Sequence, residues 1–554
     1  MLDAALQASI GLALGQEPGQ GETHVPFALE RLEVHAPVPQ QAHVVIRVAA
    51  GSTAQVRKLD LSVVDESGRV CVSMAGFTSR VLKAATATAT ATATTETSTS
   101  TSTVLLSPQW QAEAASQVQA QQQTQAHHVL LCAIQSEPAI DNAQVKRLQA
   151  QGYTEHAQQL REHLQAVLST KPSAAVLIQV VVPVLGSDTL AGLSGMLKSA
   201  NQENPKLQGQ LIQVPADIDA QALTALLQTE ATSGAAQVRY RNGQREVRRL
   251  QPLQATPTPM ALAKQGGVYL ITGGAGGLGL IFARAMAEQA PDATLILTGR
   301  RELSAEQQTE LSRLKAQVHY RAVDVSDEAA LQRLVAEVTG SHGEIKGVIH
   351  SAGVLRDSFL LKKSAQELQE VFSPKVTGLV NLDRATQDQP LDYLIAFSST
   401  AGEFGNIGQA DYAAANAFMD EFLGDRSGPG RSLSVNWPLW AEGGMRVDEA
   451  VRERMRKTSG LVPLTSAQGI QALGQALAQQ AGQVVVLYGQ RGHRMPEKVK
   501  IEGIAYNAKN LSRAIDSTPG KAPTEETEGL RVLVEASLKR VATEQLKIAE
   551  VDFD

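Results

Sequence analysis

Apolar and polar residues alternate through the first part of the chain, and the pattern changes twice before its end. VPFALERLEVHA (25–36), HVVIRVAA (43–50) and VRKLDLSVVDESGRVCVSMAGFTSRVL (56–82) place apolar side chains near every second position, as half-buried strands do. Glu66-Ser67-Gly68-Arg69 supplies a hairpin turn, and the leading MLDAALQAS reads as a short helix with Asp3 and Gln7 on one face. Residues 84–103, AATATATATATTETSTSTST, hold no large apolar side chain and one charge, so they read as a tether. From 104 to about 256 the apolar runs HHVLLCAI, AAVLIQVVV and LQGQLIQV alternate with helical stretches, and the hairpin VRYRNGQREVRRL turns at Asn242-Gly243.

The next stretch, GGVYLITGGAGGLGLIFARAMAEQ (266–289), is a buried strand, a glycine turn and an amphipathic helix. Thr272, Gly273, Gly274, Ala275, Gly276, Gly277, Leu278 and Gly279 thus form a turn whose backbone can approach a pyrophosphate at a helix amino terminus. The second strand, ATLILTGRR, ends on Arg300 and Arg301 where an NAD site needs an acid for the ribose hydroxyl, so NADPH is the expected cofactor. Asp324-Val325 in VHYRAVDVSDE is placed to flank the adenine, and Ser351-Ala352-Gly353 to line the cofactor beyond the fourth strand. Strands alternating with helices give an α/β, doubly wound parallel sheet; the glycine-poor 104–256 region reads as a second, Rossmann-like subdomain with no cofactor. A fifth apolar strand, YLIAFSS, delivers Ser399 to a strand end, and Tyr412 opens the following helix with Asn416 one turn on. A serine facing a tyrosine in this way is a proton-donating pair for a carbonyl oxygen. Lys375, in SPKVTGLVNL, is a further candidate, whose ammonium would favour the phenolate and lower the Tyr412 pKa.

Composition narrows the classes. A chain of 554 residues has room for roughly three or four domains, and 43% hydrophobic content supports globular cores. The formal charge of -6 argues against nucleic acid or anionic membrane as partner. Cys71 and Cys132 sit in separate apolar runs and read as core residues, and His127-His128 lacks a second ligand cluster, so no metal is expected. No apolar run approaches the ~18 residues of a membrane span, and the expected compartment is a reducing cytoplasm.

TGGAGGLG has the glycine spacing of short-chain dehydrogenases, and together with KVTG, YAAAN and WPLW it resembles the ketoreductase domain of bacterial modular polyketide synthases. That resemblance implies catalytic roles for Tyr412, Ser399, Lys375 and Asn416, with the β-ketoacyl thioester presented on the phosphopantetheine arm of an acyl carrier protein. Leu355 and Asp357 match the Leu-x-Asp loop of the B-type enzymes, which give a D-configured hydroxyl, although Arg356 stands where that signature has a second acid. Phe404, eight residues before Tyr412, replaces the tryptophan that marks the A-type. Residues 437–462 read as a lid in which Trp437, Trp440 and Met445 can cover substrate, with ordinary core packing of the two tryptophans an equal alternative.

The flanks resemble the same assembly. LLDAALQ-like MLDAALQ followed by Val25-Pro26-Phe27 is similar to the second half of a polyketide-synthase dehydratase, a hotdog α+β fold with Asp3 as its acid. The family's histidine lies in the other half, so dehydration through Asp3 needs another polypeptide. Residues 527–554 resemble the first helix of an acyl carrier protein. The expected layout is a hotdog half at 1–83, a linker at 84–103, a supporting subdomain at 104–256, a catalytic subdomain at 257–491, a linker at 492–526 and the carrier start at 527–554. Besides reduction, two readings stand: dehydration completed by a partner, and a scaffold whose reductase does not turn over.

Overall fold

The computed structural model describes residues 24–81, apart from 29, 37–41, 50–55 and 66, and residues 101–490, apart from 116–125, 185–188, 255–257 and 444–448. Asp3, Gln7, Met445 and the 527–554 segment lie outside the described residues. The chain forms two units, divided near Thr97.

In the first unit the alternation produces an antiparallel sheet in the order His24–Ala28, Val70–Val81, Val56–Val64 and His43–Val48. Arg31–Val34 also pairs with Val70–Val81. The inward positions Leu59, Leu61, Val63, Cys71, Val72 and Met74 form one small core.

Among the described residues of the second unit one sheet of fourteen strands runs through both halves. Seven parallel strands come first in space: Gln317–Ala322, Thr294–Gly299, Val268–Thr272, Ile345–His350, Tyr393–Ser399, Arg431–Trp437 and Gln483–Gln490. The order reverses between Val268–Thr272 and Ile345–His350, so the crevice at that switch point opens at the strand ends that carry Thr272 and Ser351. Beyond Gln483–Gln490 the sheet continues antiparallel into Thr101–Ala112 and then Gln244–Pro252 and Gln237–Arg241. Leu207–Val214, Val176–Pro183, Ala126–Cys132 and Ala143–Leu148 complete it in parallel. The Thr-rich run expected to be linker through 103 therefore becomes strand at Thr101, because Gln490 and Tyr488 offer it a ladder. The Asn242-Gly243 turn has both residues at positive φ, 53° and 74°, as a two-residue hairpin requires.

The helix that matters most, Ala410–Asp425, has almost no free face: Ala413, Ala414, Ala415, Asn416, Met419 and Asp420 are all buried. The supporting half packs on it backbone to backbone. A Cβ at Gly195 would fall 2.4 Å from the Ala413 carbonyl oxygen, and one at Gly192 would fall 2.7 Å from the Phe418 nitrogen. Tyr153 donates its hydroxyl proton to the Ala414 carbonyl at 2.8 Å. The alanine run thus has a packing reason, since larger residues would push the two halves apart. Trp437 and Trp440 are core residues, 3% and 4% exposed, their rings tilted or edge-on against Phe282 and, for Trp437, against Phe397, so of the two readings the packing one holds for them. Among the described residues no helix is long and apolar enough to cross a membrane.

Replacing Gly195 with valine should overpack this contact and lower unfolding free energy by about 1–3 kcal/mol, read from the urea midpoint. Gly340, whose Cβ would meet nothing within 4 Å, is the control: its valine variant should keep the wild-type midpoint within the small cost of a helical β-branched residue.

Candidate active site

Three elements bring four side chains together. The strand Tyr393–Ser399 ends on Ser399, which also caps the helix Thr400–Phe404 by accepting from the Ala401 N–H at 3.2 Å. Tyr412 and Asn416 lie on the helix Ala410–Asp425, and the Asn416 amide donates to the Tyr412 carbonyl at 2.7 Å. Lys375 sits in a widened, π-type turn, Ser373–Thr377, inserted between two α-helices, where the sequence suggests an ordinary helix. Its ammonium donates to Asn416 Oδ1 at 3.0 Å and to the Phe397 carbonyl at 3.2 Å, and stands 5.2 Å from the Tyr412 ring centre. Such turns are frequent at functional sites because they aim a side chain off the helical face. Gly353 gives the lysine room, since a Cβ there would lie 2.9 Å from Lys375 Cε.

Burial rules the electrostatics. It pushes Lys375 down to about 7, with Asp420 opposing, and holds the Tyr412 hydroxyl above its ordinary value despite hydrogen bonding to Asn416 and Ser399. The net direction at Tyr412 is upward, because desolvation outweighs the hydrogen bonds from Asn416 and Ser399. Asp420, one turn beyond Asn416, was not singled out from the sequence although it shares that face. Burial raises it to about 6, and it accepts from Ser434 and from Asn436, which also donates to the Ser399 carbonyl.

The glycine turn is closed by backbone alone. Gly273 has φ +63°, and its Cβ would meet the Ala352 nitrogen at 2.9 Å; at Gly279 it would lie 2.4 Å from the Gly273 carbonyl oxygen. Gly276 immediately precedes the helix Gly277–Gln289, and Gly443 closes down on Gly277, so Gly277 too admits no side chain. Gly274 donates to the Thr298 carbonyl, and Ala275 and Leu278 complete the turn. A bare backbone cradle at a helix start fits a pyrophosphate. Thr272 spends its hydroxyl on buried His350 at 2.8 Å and its carbonyl on Ser351. Arg300 and Arg301 are exposed at the end of the second strand. Val325 is buried, and the Asp324 carboxylate accepts from the Ser326 N–H and hydroxyl in a local turn.

The loop after Gly353 is tied down by residues that the sequence did not announce. Half-buried Leu355 precedes Asp357, whose two carboxylate oxygens each accept from Gln409 Nε2 at 3.1 Å. Lys363, 1% exposed, donates to the Arg356 carbonyl and pairs with Asp411 at 3.0 Å, and Asp411 in turn accepts from the Tyr412 N–H at 2.8 Å. From the supporting half, Glu203 accepts from the Leu360 N–H at 2.7 Å and the Gly408 N–H at 3.0 Å. Phe404 turns away from this cluster and packs with Leu106, Leu250, Val485 and Leu487 at the seam.

Known proteins match this arrangement. The KR domain family matches residues 267–442, and the family described as polyketide synthase dehydratase N-terminal domain matches residues 1–89. Polyketide synthase PksN of Bacillus subtilis (strain 168) is 36% identical over 584 residues, covering 99% of this chain but 10% of the relative. PksL of the same organism is 36% identical over 514 residues, covering 88% of this chain and 11% of its own length. The chain therefore spans about a tenth of these relatives. A ketoreductase domain from the bacillaene assembly line has 35% identity and a TM-score of 0.65, covering 71% of this chain and 98% of that one. PlmKR1, from the first module of phoslactomycin biosynthesis in Streptomyces sp. HK803, has 28% identity, a TM-score of 0.58, and covers 72% and 97%.

Two measurements check the electrostatics. Between pH 7 and the ordinary lysine value of 10.5 the unfolded chain binds a proton at Lys375 that the folded chain does not, so this group makes stability rise with pH across that window. The difference in unfolding free energy between wild type and Lys375→Met should change across it by at most about 1.4 kcal/mol per pH unit. Lys363→Met strands the Asp411 charge and should cost about 3–5 kcal/mol in urea denaturation, with Lys363→Met/Asp411→Asn regaining most of it.

Proposed function

The chain belongs to the ketoreductase domains of modular polyketide synthases, and we propose that it uses NADPH to reduce a carrier-bound β-ketoacyl thioester to the D-configured β-hydroxyl. The observation that carries this reading is the convergence of Ser399, Tyr412, Lys375 and Asn416 beside a backbone-only glycine cradle. NADPH, when bound, supplies the hydride. Gly273, Gly277 and Gly279 would hold its pyrophosphate, and Arg300 and Arg301 its 2′-phosphate.

Ser399 Oγ and the Tyr412 hydroxyl hold the ketone oxygen where negative charge develops. Tyr412 is kept protonated by burial, so it waits as an acid and delivers its proton to the alkoxide oxygen. Lys375, brought to about 7, is poised to return a proton to the phenolate, and Asn416 fixes its amine through Oδ1. Leu355 and Asp357 line the side from which the pantetheine arm enters, and Gln409 holds Asp357 in register with Tyr412, three residues away along the helix. This supports the B-type facial choice.

For the first unit we read the dehydratase match as the second hotdog half, on the strength of the sequence motif that contains Asp3, followed by Val25-Pro26-Phe27. The scaffold reading is disfavoured by a complete set of four reactive side chains.

Tyr412→Phe should lower turnover about 10²–10⁴-fold, followed as loss of NADPH absorbance with a β-ketoacyl thioester, while NADPH binding persists. Substantial reduction by that variant removes the proton-donor role, and an L-hydroxy product from wild type removes the B-type assignment.

A further inference from the structure

We propose that an open groove beside the Asp357 loop is the docking surface for the acidic, helical surface of an acyl carrier protein. The proposal rests on the reductase reading above and adds where the partner sits. The groove, about 530 Å³, lies where the supporting half meets the segment that follows Asp357. Its apolar lining includes Leu168, Phe359 and Leu361, and the last two are 58% and 49% exposed, which is unusual for side chains of this size. Its charged lining is Lys171, Lys206, Lys362 and Glu203.

The acid offsets only part of the basic charge. Glu203 holds the groove together by accepting from the Leu360 and Gly408 N–H groups, and its single negative charge is outnumbered by the three lysines. The three lysines make no ion pair with any described acid. A positive patch on a chain of net charge -6 is a local departure, and it carries two exposed apolar side chains at its centre. That combination selects an acidic protein surface with an apolar projection.

The position favours a partner that delivers substrate. Phe359 is two residues beyond Asp357, and the same Glu203 that seats Leu360 also seats Gly408, four residues before Tyr412. Lys363 ties this segment to Asp411 from beneath. A partner on the groove therefore rests on a segment rigidly joined to both the substrate loop and the catalytic helix.

The test compares one acyl group in two forms: acetoacetyl phosphopantetheine on an excised acyl carrier domain, and the acetoacetyl thioester of N-acetylcysteamine. The full chain and the variant Lys171→Glu/Lys206→Glu/Lys362→Glu are assayed with both. The expected result is a loss of about tenfold or more in kcat/KM for the carrier-bound substrate, carried by KM, with the small thioester reduced as before. A second variant, Phe359→Ser/Leu361→Ser, should show the same split. Equal loss with both substrates, or no loss with the carrier, overturns the proposal. If wild type reduces neither substrate the reductase reading fails by itself. Docking is then judged by titrating the carrier domain against wild type and variant, where equal affinities overturn it.

Discussion

Everything at the reactive centre depends on one close approach, that of the Leu190–Glu203 region of the supporting half onto the helix that carries Tyr412 and Asn416. With glycine at 192 and 195 and alanine at 413 and 414, the two backbones meet with no side chain between them. A helix packed this tightly on one side and against the strand Arg431–Trp437 on the other has little freedom to slide or rotate. The positions of the Tyr412 and Asn416 side chains are therefore set by a half of the unit that contributes none of the four side chains gathered there.

The second constraint is the handling of charge. Lys375, Asp420, Lys363, Asp411, Arg248 and Glu403 are all removed from water or nearly so, and each acid or base is answered by a partner or a hydrogen bond. Arg248 belongs to the supporting hairpin and Glu403 to the short helix that begins after Ser399, so this pair ties the seam at the serine end as Glu203 ties it at the tyrosine end. Removing one member of such a pair costs more than the pair contributes, which makes the seam specific about its register.

The strands, the glycine turn and the i, i+4 pair Tyr412 and Asn416 were readable because each is a local pattern with its own physical cause. Lys375 was readable only through its resemblance, since nothing in SPKVTG announces a π-type turn. What escaped was non-local. Glu203 and Leu360 are 157 positions apart, and Lys363 reads as one more surface lysine until Asp411 is seen beside it. The tryptophans of WPLW suggest a cover because aromatic residues are common at sites, yet their rings complete an aromatic core whose other members lie far away in sequence. Phe404 was read for its place before Tyr412, and its ring serves the seam.

The unbroken sheet has a consequence for how such a protein can be inherited. Because Gln483–Gln490 pairs with Thr101–Ala112, the first and last described strands of the second unit are neighbours, and the strands of 268–490, which follow the supporting half in sequence, close back on its first strand. A genetic exchange that cuts near residue 256 would leave the ladder of Val-Val-Val-Leu-Tyr without its partner, an apolar edge ready to pair with another chain. Exchange that preserves folding must move both halves together, so the reactive residues and the supporting surface beside them travel as one heritable piece.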